Sequence, residues 1–587
     1  MPRTESGSGS SGAGAGAGAG ADSDARYCSL PLPLPLPLPL PLPLLRDVAR
    51  LKPVVEQTKP DKSASHDSFV GLDVDFPLRV ACVDMGSNAI RFLAAEFSSE
   101  SEFEVLDGER APVRLGHGVY LSGRLEANAM DRAVEALIRF RSKMDSLGIE
   151  HYRAVATSAV RESSNRKAFI ARVFDESGLR LEAISGSEEA RLVHLAVARR
   201  VPLGNRMWLL VDLGGGSVEV SLVDQNGTYW SESHTMGSVR LLEELTESGA
   251  DPGRFRRLLA EYISVLKVPD MPEKRQLAGY VATGGNIETL AKLGGFPDEL
   301  SVTHLPVDTL RTIIEQLARL SYRERVNELG LREDRADVIL PAAMVYERLA
   351  DLAGADEIQV PHVGIKEGVL YDLVSQLVGH RDHEDRQDRE VLASALTIGR
   401  KYHFDRDHAM QVSKLSLRLF DQLRSLHGLG AADRRILHAA ALLHDIGQFV
   451  SFQAHHKHSQ YLISHSELPN FSDHEMQLVA NVARYHRKAH PADHHPEFMA
   501  LDENERVRVT RLASLLRVAD ALDREHVQRV TDLTAKLTDD TLTLWLDGTA
   551  GVLMEGWSLK KKANLFHGLF GRKVKLRFLG AEQDVEE

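Results

Sequence analysis

The chain has 587 residues and a mass of 65.0 kDa, which corresponds to about four structural units at about 150 residues each. Hydrophobic residues make up 43% and charged residues 26%, a balance that excludes disorder throughout the chain. The net charge of -13 excludes a general nucleic-acid coat, and no uncharged apolar run reaches the roughly 20 residues of a membrane span. We therefore expect no nucleic-acid partner and no integral membrane segment. The two cysteines, Cys28 and Cys82, form no disulfide framework, which predicts a cytoplasmic protein.

Residues 1–75 are of low complexity. Alternating Gly-Ala is followed by alternating Pro-Leu from Leu30 to Leu44. Proline at every second position forbids a helix, so this apolar run cannot span a membrane. We predict a disordered tail, extended like polyproline II, and assign it no chemistry.

An internal repeat follows. In each half an apolar strand ends at an aspartate, and a turn of small residues leads into a second strand. These strand pairs are residues 78–84 with 89–97, and 207–212 with 218–223. The two aspartates, Asp84 and Asp212, lie 128 residues apart. Helical patterns alternate with these strands, which predicts two α/β domains, at 76–200 and 201–380.

The sequence changes character after residue 380. Residues 381–534 are rich in helical periodicity and histidine, which predicts an all-α domain. Short alternating stretches return in residues 535–587, which predict a small α/β piece that ends in a strand. This piece carries a basic track that is a candidate surface for a polyanion. Its members are Lys560, Lys561, Lys562, Arg572, Lys573, Lys575 and Arg577.

Two loops have the composition of a phosphate clamp. Asp84 precedes Gly86, Ser87 and Asn88, and Asp212 precedes a Gly-Gly-Gly-Ser turn that leads to Glu219. Glycine lets backbone N–H groups approach an anion, and neighbouring carboxylates hold Mg²⁺ against phosphate oxygens. A third loop with Gly284 and Gly285 also follows an apolar strand, although Gly-Gly is common in such connections.

Six motifs occur in the order of the exopolyphosphatase / guanosine pentaphosphate phosphohydrolase (Ppx/GppA) family, which this chain resembles. They are Asp84-Met-Gly-Ser-Asn, Ala156-Thr-Ser-Ala-Val-Arg161, Ile184-Ser-Gly-Ser-Glu-Glu-Ala-Arg191, Asp212-Leu-Gly-Gly-Gly-Ser-Val-Glu219, Val281-Ala-Thr-Gly-Gly and Arg335-Ala-Asp-Val-Ile. The resemblance covers about residues 78–375. It implies the fold of actin, sugar kinases and heat-shock chaperone ATPases, a ribonuclease H-like fold, with the active site between the two α/β domains.

The resemblance also implies residue roles. Glu189 matches the general base that activates water. Asp84, Asp212 and Glu219 match metal-associated carboxylates. Phosphate-contacting positions are matched by Ser87, Asn88, Arg91, Arg161, Gly214, Gly215, Gly216 and Ser217, and we add Gly284 and Gly285. From the residues alone, Glu188 and Glu189 also suit the first turn of a helix.

The chain departs from the family pattern in two places. Val218 stands where the family often has threonine, and Lys366 stands where an arginine is common. Lysine keeps the charge but lacks the planar fork that binds phosphate in a bidentate manner.

A second constellation lies in the helical part, which resembles HD-type metal phosphohydrolases. His408, His444, Asp445 and Asp520 follow the order of the HD ligands, and His458 and His486 are further candidates. Imidazole and carboxylate together suit Mn²⁺, Fe²⁺, Zn²⁺ or Mg²⁺. The alternative is that the domain binds no metal and only extends the substrate cleft and supports a dimer. Four other histidines are expected to be solvated: His455, His490, His494 and His495.

The sequence thus predicts a Mg²⁺-dependent exopolyphosphatase, with Mn²⁺ as an alternative metal, that removes the terminal phosphate of inorganic polyphosphate. The first alternative is hydrolysis of guanosine pentaphosphate, since no residue specifies guanine. Two further alternatives are a nucleotide phosphohydrolase at the HD-type site and a non-enzymatic sensor of polyphosphate or alarmone. A homodimer is expected.

Overall fold

The computed structural model describes residues 76–246, 252–268, 277–378, 381–469, 471–548 and 553–578. The predicted disordered tail at 1–75 lies outside these residues. In the part of the chain that is described, none of the helices is both long enough and apolar enough to cross a membrane.

The first α/β unit is a five-stranded sheet of order β3-β2-β1-β4-β5. Its strands are β1 (Leu78–Met85), β2 (Ile90–Phe97), β3 (Phe103–Ala111), β4 (His151–Ala156) and β5 (Leu181–Ala183). Its helices are α1 (Val119–Ser122), α2 (Ala127–Ser146), α3 (Ser158–Glu162), α4 (Arg166–Ser177) and α5 (Gly186–Arg200). β1 runs antiparallel to β2 and parallel to β4.

The second unit is a seven-stranded sheet of order β10-β11-β12-β9-β6-β7-β8. Its strands are β6 (Trp208–Leu213), β7 (Val218–Asp224), β8 (Gly227–His234), β9 (Tyr280–Thr283), β10 (Phe296–Pro297), β11 (Thr303–Pro306) and β12 (Glu357–Val360). Its helices are α6 (Ser238–Thr246), α7 (Pro252–Ile263), α8 (Gly285–Gly294), α9 (Val307–Arg319), α10 (Tyr322–Asn327), α11 (Glu333–Ala336), α12 (Ile339–Ala353) and α13 (Ile365–Leu377).

The internal repeat extends to the pairing of individual residues. The register pairs are Asp84 with Arg91 and Val155 in the first unit, and Asp212 with Glu219 and Thr283 in the second. Each residue of the second set follows its counterpart by 128 positions. The predicted strands and the predicted repeat are therefore confirmed.

Helices α5 and α13 pack against each other between the two sheets. A Cβ atom on Gly368 would lie 1.9 Å from the backbone oxygen of Leu192, so only glycine permits this helix crossing. Apolar side chains from both sheets and both helices form one buried cluster here, which includes Cys82, Leu192 and Val369. This shared core fixes the sheets relative to each other.

The rest of the chain is a helical region with a small sheet. The helices are α14 (Arg381–Lys401), α15 (Arg406–Gln422), α16 (Arg424–His427), α17 (Ala431–Leu443), α18 (His455–Ser464), α19 (Asp473–Arg484), α20 (Pro496–Met499) and α21 (Glu503–Ala521), with a 3-10 turn at Ile446–Phe449. The C-terminal elements are β13 (Val530–Leu537), β14 (Thr541–Gly548), α22 (Leu553–Lys562), α23 (Asn564–Phe570) and β15 (Lys573–Phe578). One apolar core joins the small sheet to the helices.

The final strand alternates as the sequence predicts. Val574, Leu576 and Phe578 pack against the core, and Lys573 and Lys575 are exposed.

Candidate active site

A cavity of about 310 Å³ opens at the ends of β1 and β6. Residues of both α/β units line it, because the repeat brings Asp84 and Asp212 to equivalent strand ends. The lining residues that bear on its chemistry are Asp84, Gly86, Ser87, Asn88, Arg91, Thr157, Glu189, Asp212, Gly214, Gly215, Gly284, Gly285, Glu288, Arg335, His362 and Lys366. Glycine turns, carboxylates and cations thus share one pocket.

Three carboxylates converge beside this cavity, and two of them, Glu189 and Asp212, line it. Glu189 of α5, Asp212 of β6 and Glu219 of β7 each place one oxygen within 4.8 Å of the others. Glu219 is 1% exposed, and its Oε2 atom is buried without a hydrogen-bond partner. Such a cluster of buried carboxylate oxygens fits a divalent cation.

The local electrostatics disfavour three negative charges together. Burial, reinforced by Glu219, raises the pKa of Glu189 well above its usual range. Burial and the charge of Asp212 raise the pKa of Glu219 to about 7. Burial also raises the pKa of Asp212, although its Oδ1 accepts a 2.6 Å hydrogen bond from Thr283 Oγ1. A bound cation would favour the charged form of all three groups.

Asp84, the fourth predicted metal-associated carboxylate, has a different partner. Its Oδ2 accepts a 2.8 Å hydrogen bond from Arg91 Nη1, and the side chain is buried. The structure therefore brings Asp84 to the cavity but pairs it with a cation of the protein.

The adjacent glutamates of α5 have different environments. Ser185 caps the helix by accepting a hydrogen bond from Glu188 N. Glu188 accepts hydrogen bonds from Arg191 Nε at 2.8 Å and Arg153 Nη2 at 3.1 Å. Glu189 points to the cavity, where Arg161 Nη1 lies 3.3 Å from its Oε2. Glu188 belongs to a buried ion network, and Glu189 belongs to the carboxylate cluster.

The predicted phosphate-binding residues fall into two groups. Seven line the cavity: Ser87, Asn88, Arg91, Gly214, Gly215, Gly284 and Gly285. Among the described residues of the predicted set, three are not part of the lining: Arg161, Gly216 and Ser217. Arg161 contacts Glu189 instead, and a Cβ on Gly216 would lie 2.0 Å from Tyr120 Oη.

Two cations of the cavity received no role from the sequence. Arg335 donates from Nη1 to Asn286 Oδ1 at 2.9 Å and contacts the Gly284-Gly285 turn so closely that a Cβ on Gly285 would lie 2.3 Å from its Nη2. Burial and the charge of Arg91 lower the pKa of Arg335 to about 10. Lys366 reaches the cavity from the N-terminus of α13. In the sequence, Arg335 belongs to an ordered motif, and Lys366 stands out only as a departure from the family pattern.

The second constellation also assembles, except that His455 takes the place predicted for His458. His408, His444 and Asp520 form one group of candidate ligands, and His444, Asp445 and His486 form an overlapping one. The candidate ligand sets in the described ranges leave out His458. The prediction that His455 is solvated is wrong: it is 2% exposed, and its Nε2 lies 3.1 Å from Asp445 Oδ1.

Two further expectations about single residues need correction. His495 is buried, and its Nδ1 lies 2.9 Å from Tyr485 Oη. His490 and His494 are exposed as predicted. Lys562 does not belong to a surface track, since its ammonium group is buried against the carboxylate of Asp520.

Two repeated sheets that close on a pocket of carboxylates and glycine turns define an actin-like protein that acts on phosphate groups. A family model described as Ppx/GppA phosphatase family matches residues 95–377, and one described as Ppx/GppA phosphatase, domain III, matches residues 391–562. The chain belongs to the Ppx/GppA phosphatase family, and it is a hydrolase of phosphoanhydride bonds.

Curated relatives cover most of the chain. A guanosine-5'-triphosphate,3'-diphosphate pyrophosphatase of Vibrio vulnificus is 27% identical over 80% of this chain and 91% of the relative. The protein of the same name from Pseudoalteromonas translucida is 26% identical over 79% and 91%. A crystal structure of an exopolyphosphatase from Cytophaga hutchinsonii is 29% identical, covers 51% of this chain and 100% of its own, and has a TM-score of 0.47.

Proposed function

We propose that the cleft hydrolyses the terminal phosphoanhydride bond of inorganic polyphosphate and releases orthophosphate. The observation that carries this proposal is the meeting of Glu189, Asp212 and Glu219 beside a cavity that two glycine turns line. Phosphoryl transfer to water requires positioning, charge neutralisation and a group that orients the nucleophile, and each requirement has a candidate here.

Glu189 is the proposed general base. An α-helix, α5, holds this carboxylate beside the cavity, and burial raises its pKa, which makes the ionised carboxylate a stronger base. Arg161 is the proposed positioning residue for this base, because it donates to Glu189 Oε2 and to the backbone oxygen of Ile184. The proton of the attacking water goes to Glu189.

Asp212 and Glu219 are the proposed ligands of Mg²⁺, or of Mn²⁺ as the alternative. Oxygen donors without nitrogen or sulfur suit these ions, and the unpartnered Oε2 of Glu219 supports a cation there. When bound, the ion offsets the negative charge of the phosphate groups. Asp84 is proposed to act on this site through Arg91, with which it is paired.

Other residues of the cavity lining are proposed to hold the phosphate chain. Arg91, Arg335 and Lys366 contribute cations, and the glycine turns contribute backbone N–H groups. Ser87 and Asn88 complete this set of lining residues, although Asn88 Nδ2 also donates to the backbone oxygen of Asp334 at 2.9 Å.

Guanosine pentaphosphate is the second candidate substrate. The names of the curated relatives from Vibrio vulnificus and Pseudoalteromonas translucida favour it. The hydrolytic step is the same, and only the group that carries the phosphates differs.

The test is phosphate release with Mg²⁺ from long-chain polyphosphate and from guanosine pentaphosphate, measured side by side for wild type and Glu189→Ala. We expect release from polyphosphate that Glu189→Ala abolishes. Release mainly from the nucleotide would support the second candidate. Release that survives in a folded Glu189→Ala protein would overturn the cleft assignment.

An HD-type centre in the helical region that hydrolyses a nucleotide, and a sensor that binds without hydrolysis, are the remaining alternatives. Asp445→Ala separates them, since loss of hydrolysis in this variant would move the chemistry to the helical region. Tight binding of polyphosphate without phosphate release would favour the sensor. The homodimer and the cytoplasmic location stay predictions.

A further inference from the structure

Tyr120 of α1 lies one hydrogen bond away from the cavity. Its hydroxyl oxygen is 2.6 Å from Ser87 Oγ, and Ser87 lines the cavity in the turn after β1. Tyr120 belongs to none of the six ordered motifs of the sequence. The motifs therefore do not account for this contact with a residue that is proposed to bind phosphate.

The hydroxyl groups of Tyr120, Ser87 and Ser158 form a closed group. Ser158 Oγ lies 3.0 Å from Ser87 Oγ and 3.4 Å from Tyr120 Oη. Ser87 and Ser158 are 3% and 2% exposed, and buried hydroxyl groups require partners. Three hydroxyl groups hold three protons, so the direction of each hydrogen bond decides which oxygen is left to donate elsewhere.

The shortest of these contacts fixes the direction. A phenol is a stronger acid than a serine hydroxyl, so Tyr120 donates and Ser87 Oγ accepts across the 2.6 Å contact. Burial raises the pKa of Tyr120 to about 12, which keeps the phenol protonated in the neutral range. The proton of Ser87 is then available to an anion in the cavity. Ser87 is also a stronger donor when it accepts from Tyr120, because hydrogen bonds in a chain polarise one another.

The ring of Tyr120 is held by the second α/β unit. The guanidinium carbon of Arg240, in α6, lies 4.1 Å from the centre of the Tyr120 ring, which is a cation–π contact. Arg240 Nε also donates to Gly216 O at 2.9 Å, and its Nη2 pairs with the carboxylate of Glu162 in α3. Because Arg240 is itself fixed by these two contacts, it keeps the Tyr120 ring in one orientation.

Tyr120 also stands where the turn after β1 meets the turn after β6. A Cβ atom on Gly216 would lie 2.0 Å from Tyr120 Oη, and a Cβ atom on Gly215 would lie 2.9 Å from Ser87 Cβ. Glycine at both positions therefore lets the two turns approach each other. The Tyr120 hydroxyl lies at the contact between the two turns that are proposed to bind phosphate.

We propose that Tyr120 is a positioning residue, which donates a hydrogen bond to Ser87 Oγ and so directs the Ser87 hydroxyl toward a phosphate oxygen of the substrate. Tyr120 acts through Ser87 and does not itself touch the substrate. Arg240 aims the ring from the second α/β unit. This inference rests on the function proposed for the cleft, in which Ser87 is one of the residues that hold the phosphate chain.

The test is a double-mutant cycle in the full chain. The measured quantity is kcat/KM for phosphate release with Mg²⁺ from long-chain polyphosphate or guanosine pentaphosphate, whichever the wild type hydrolyses. Tyr120→Phe keeps the ring and removes the hydroxyl, and it should lower kcat/KM about threefold to tenfold. In the Ser87→Ala background the same exchange should change kcat/KM by less than about twofold, since the residue through which Tyr120 acts is gone. A merely structural role of the hydroxyl would give the same loss in both backgrounds.

Tyr152→Phe is the matched control. The Tyr152 hydroxyl accepts a hydrogen bond from Arg180 N at 3.1 Å elsewhere in the first unit, and its removal should leave kcat/KM unchanged. Circular dichroism establishes that each variant is folded.

Glu189→Ala, measured in the same series, separates this inference from the cleft assignment. If Glu189→Ala abolishes release, then full activity of Tyr120→Phe, or equal losses in the wild-type and Ser87→Ala backgrounds, would overturn the role of Tyr120 alone. Release that survives in folded Glu189→Ala protein would overturn both.

Discussion

At the scale of single residues, chemistry is decided by what surrounds a side chain. Glu188 and Glu189 are adjacent in α5 and equally buried. Arg191 and Arg153 hold the charge of Glu188, and although burial raises its pKa, these cations lower it below the usual value. Glu189 faces other carboxylates, and its pKa moves in the opposite direction. One glutamate therefore stabilises the fold, and the other suits catalysis.

Exchange of each glutamate for glutamine should separate these roles. Glu188→Gln removes one partner from a buried ion network and should lower the free energy of unfolding by about 3 kcal/mol or more. Glu189→Gln should lower kcat by about 10²–10⁴-fold without lowering the thermal midpoint. Thermal unfolding and steady-state phosphate release measure the two effects. A Glu188→Gln protein of normal stability would contradict the structural role.

Glu219 should make the metal-free protein sensitive to pH. Its pKa is about 7 in the folded state, whereas the ordinary value for glutamate, which applies to the unfolded chain, is 4.5. The folded state thus binds this proton more tightly, so stability falls as the pH rises from about 4.5 to 7. Without metal at pH 8, Glu219→Gln should therefore be more stable than wild type, by up to about 3 kcal/mol.

Thermal unfolding of wild type and Glu219→Gln in chelator at pH 5 and pH 8 tests this difference in stability. Added Mg²⁺ should remove the greater stability of Glu219→Gln at pH 8, because the cation stabilises the charged carboxylate of the wild type. Separately, kcat/KM should rise with pH, since Glu189 acts in its deprotonated form and burial raises its pKa. An equal stability difference at both pH values would count against the proposed environment of Glu219.

At the scale of elements, the glycine turn after β6 depends on the start of α6. Ser238 N donates to Gly214 O at 3.1 Å, and Val239 N donates to Gly215 O at 2.8 Å. Gly237 stands directly before these contacts, and a Cβ there would lie 2.3 Å from Gly215 C. No local pattern in the sequence indicates this role of Gly237, because its partner lies in another turn of the chain.

Gly237→Ala should displace this turn from the cavity. The clash is with backbone, which cannot rotate away, so kcat/KM should fall by about tenfold to a hundredfold. Gly227→Ala is the control, since a Cβ there meets nothing within 4 Å. Kinetics and thermal unfolding of both variants provide the measurement. Unchanged kinetics in Gly237→Ala would show that the turn does not position the substrate.

At the scale of the whole molecule, the helical region touches α5, the helix that carries Glu189. Glu467, in the connection after α18, accepts a 3.0 Å hydrogen bond from Ser187 N in the first turn of α5. Burial lowers the pKa of Arg161, but the carboxylates of Glu189, Glu219 and Glu467 together raise it. A negative charge from the helical region therefore acts on the cleft.

Glu467→Gln should ease the approach of a polyanion. Removal of one charge at the helix N-terminus should lower KM about twofold to fivefold, with kcat little changed. Asp473→Asn removes the same charge from a side chain that is 69% exposed, without the contact to α5, and should change KM less. Steady-state kinetics on polyphosphate at low and high salt measure the difference. Equal effects of both variants on KM would show that the change in overall charge, and not the contact of Glu467 with α5, accounts for the result.

The sequence by itself determined the strands β1, β2, β6 and β7, because in each half an apolar run that ends at an aspartate is followed by a turn of small residues and a second strand. It also determined the 128-residue repeat and the ordered motifs, which are local features of the chain. The resemblance that these motifs carry implied that Glu189, Asp212 and Glu219 share one site. The repeat itself places only Asp84 and Asp212 at equivalent strand ends.

Only the tertiary structure decided the partners of individual side chains. It paired Asp84 with Arg91, buried Lys562 against Asp520, and brought His455 rather than His458 to Asp445. His455 and His458 lie three residues apart on one helix, so composition does not distinguish them. Which of them faces Asp445 depends on how α18 packs against α19, a long-range contact that no local pattern encodes.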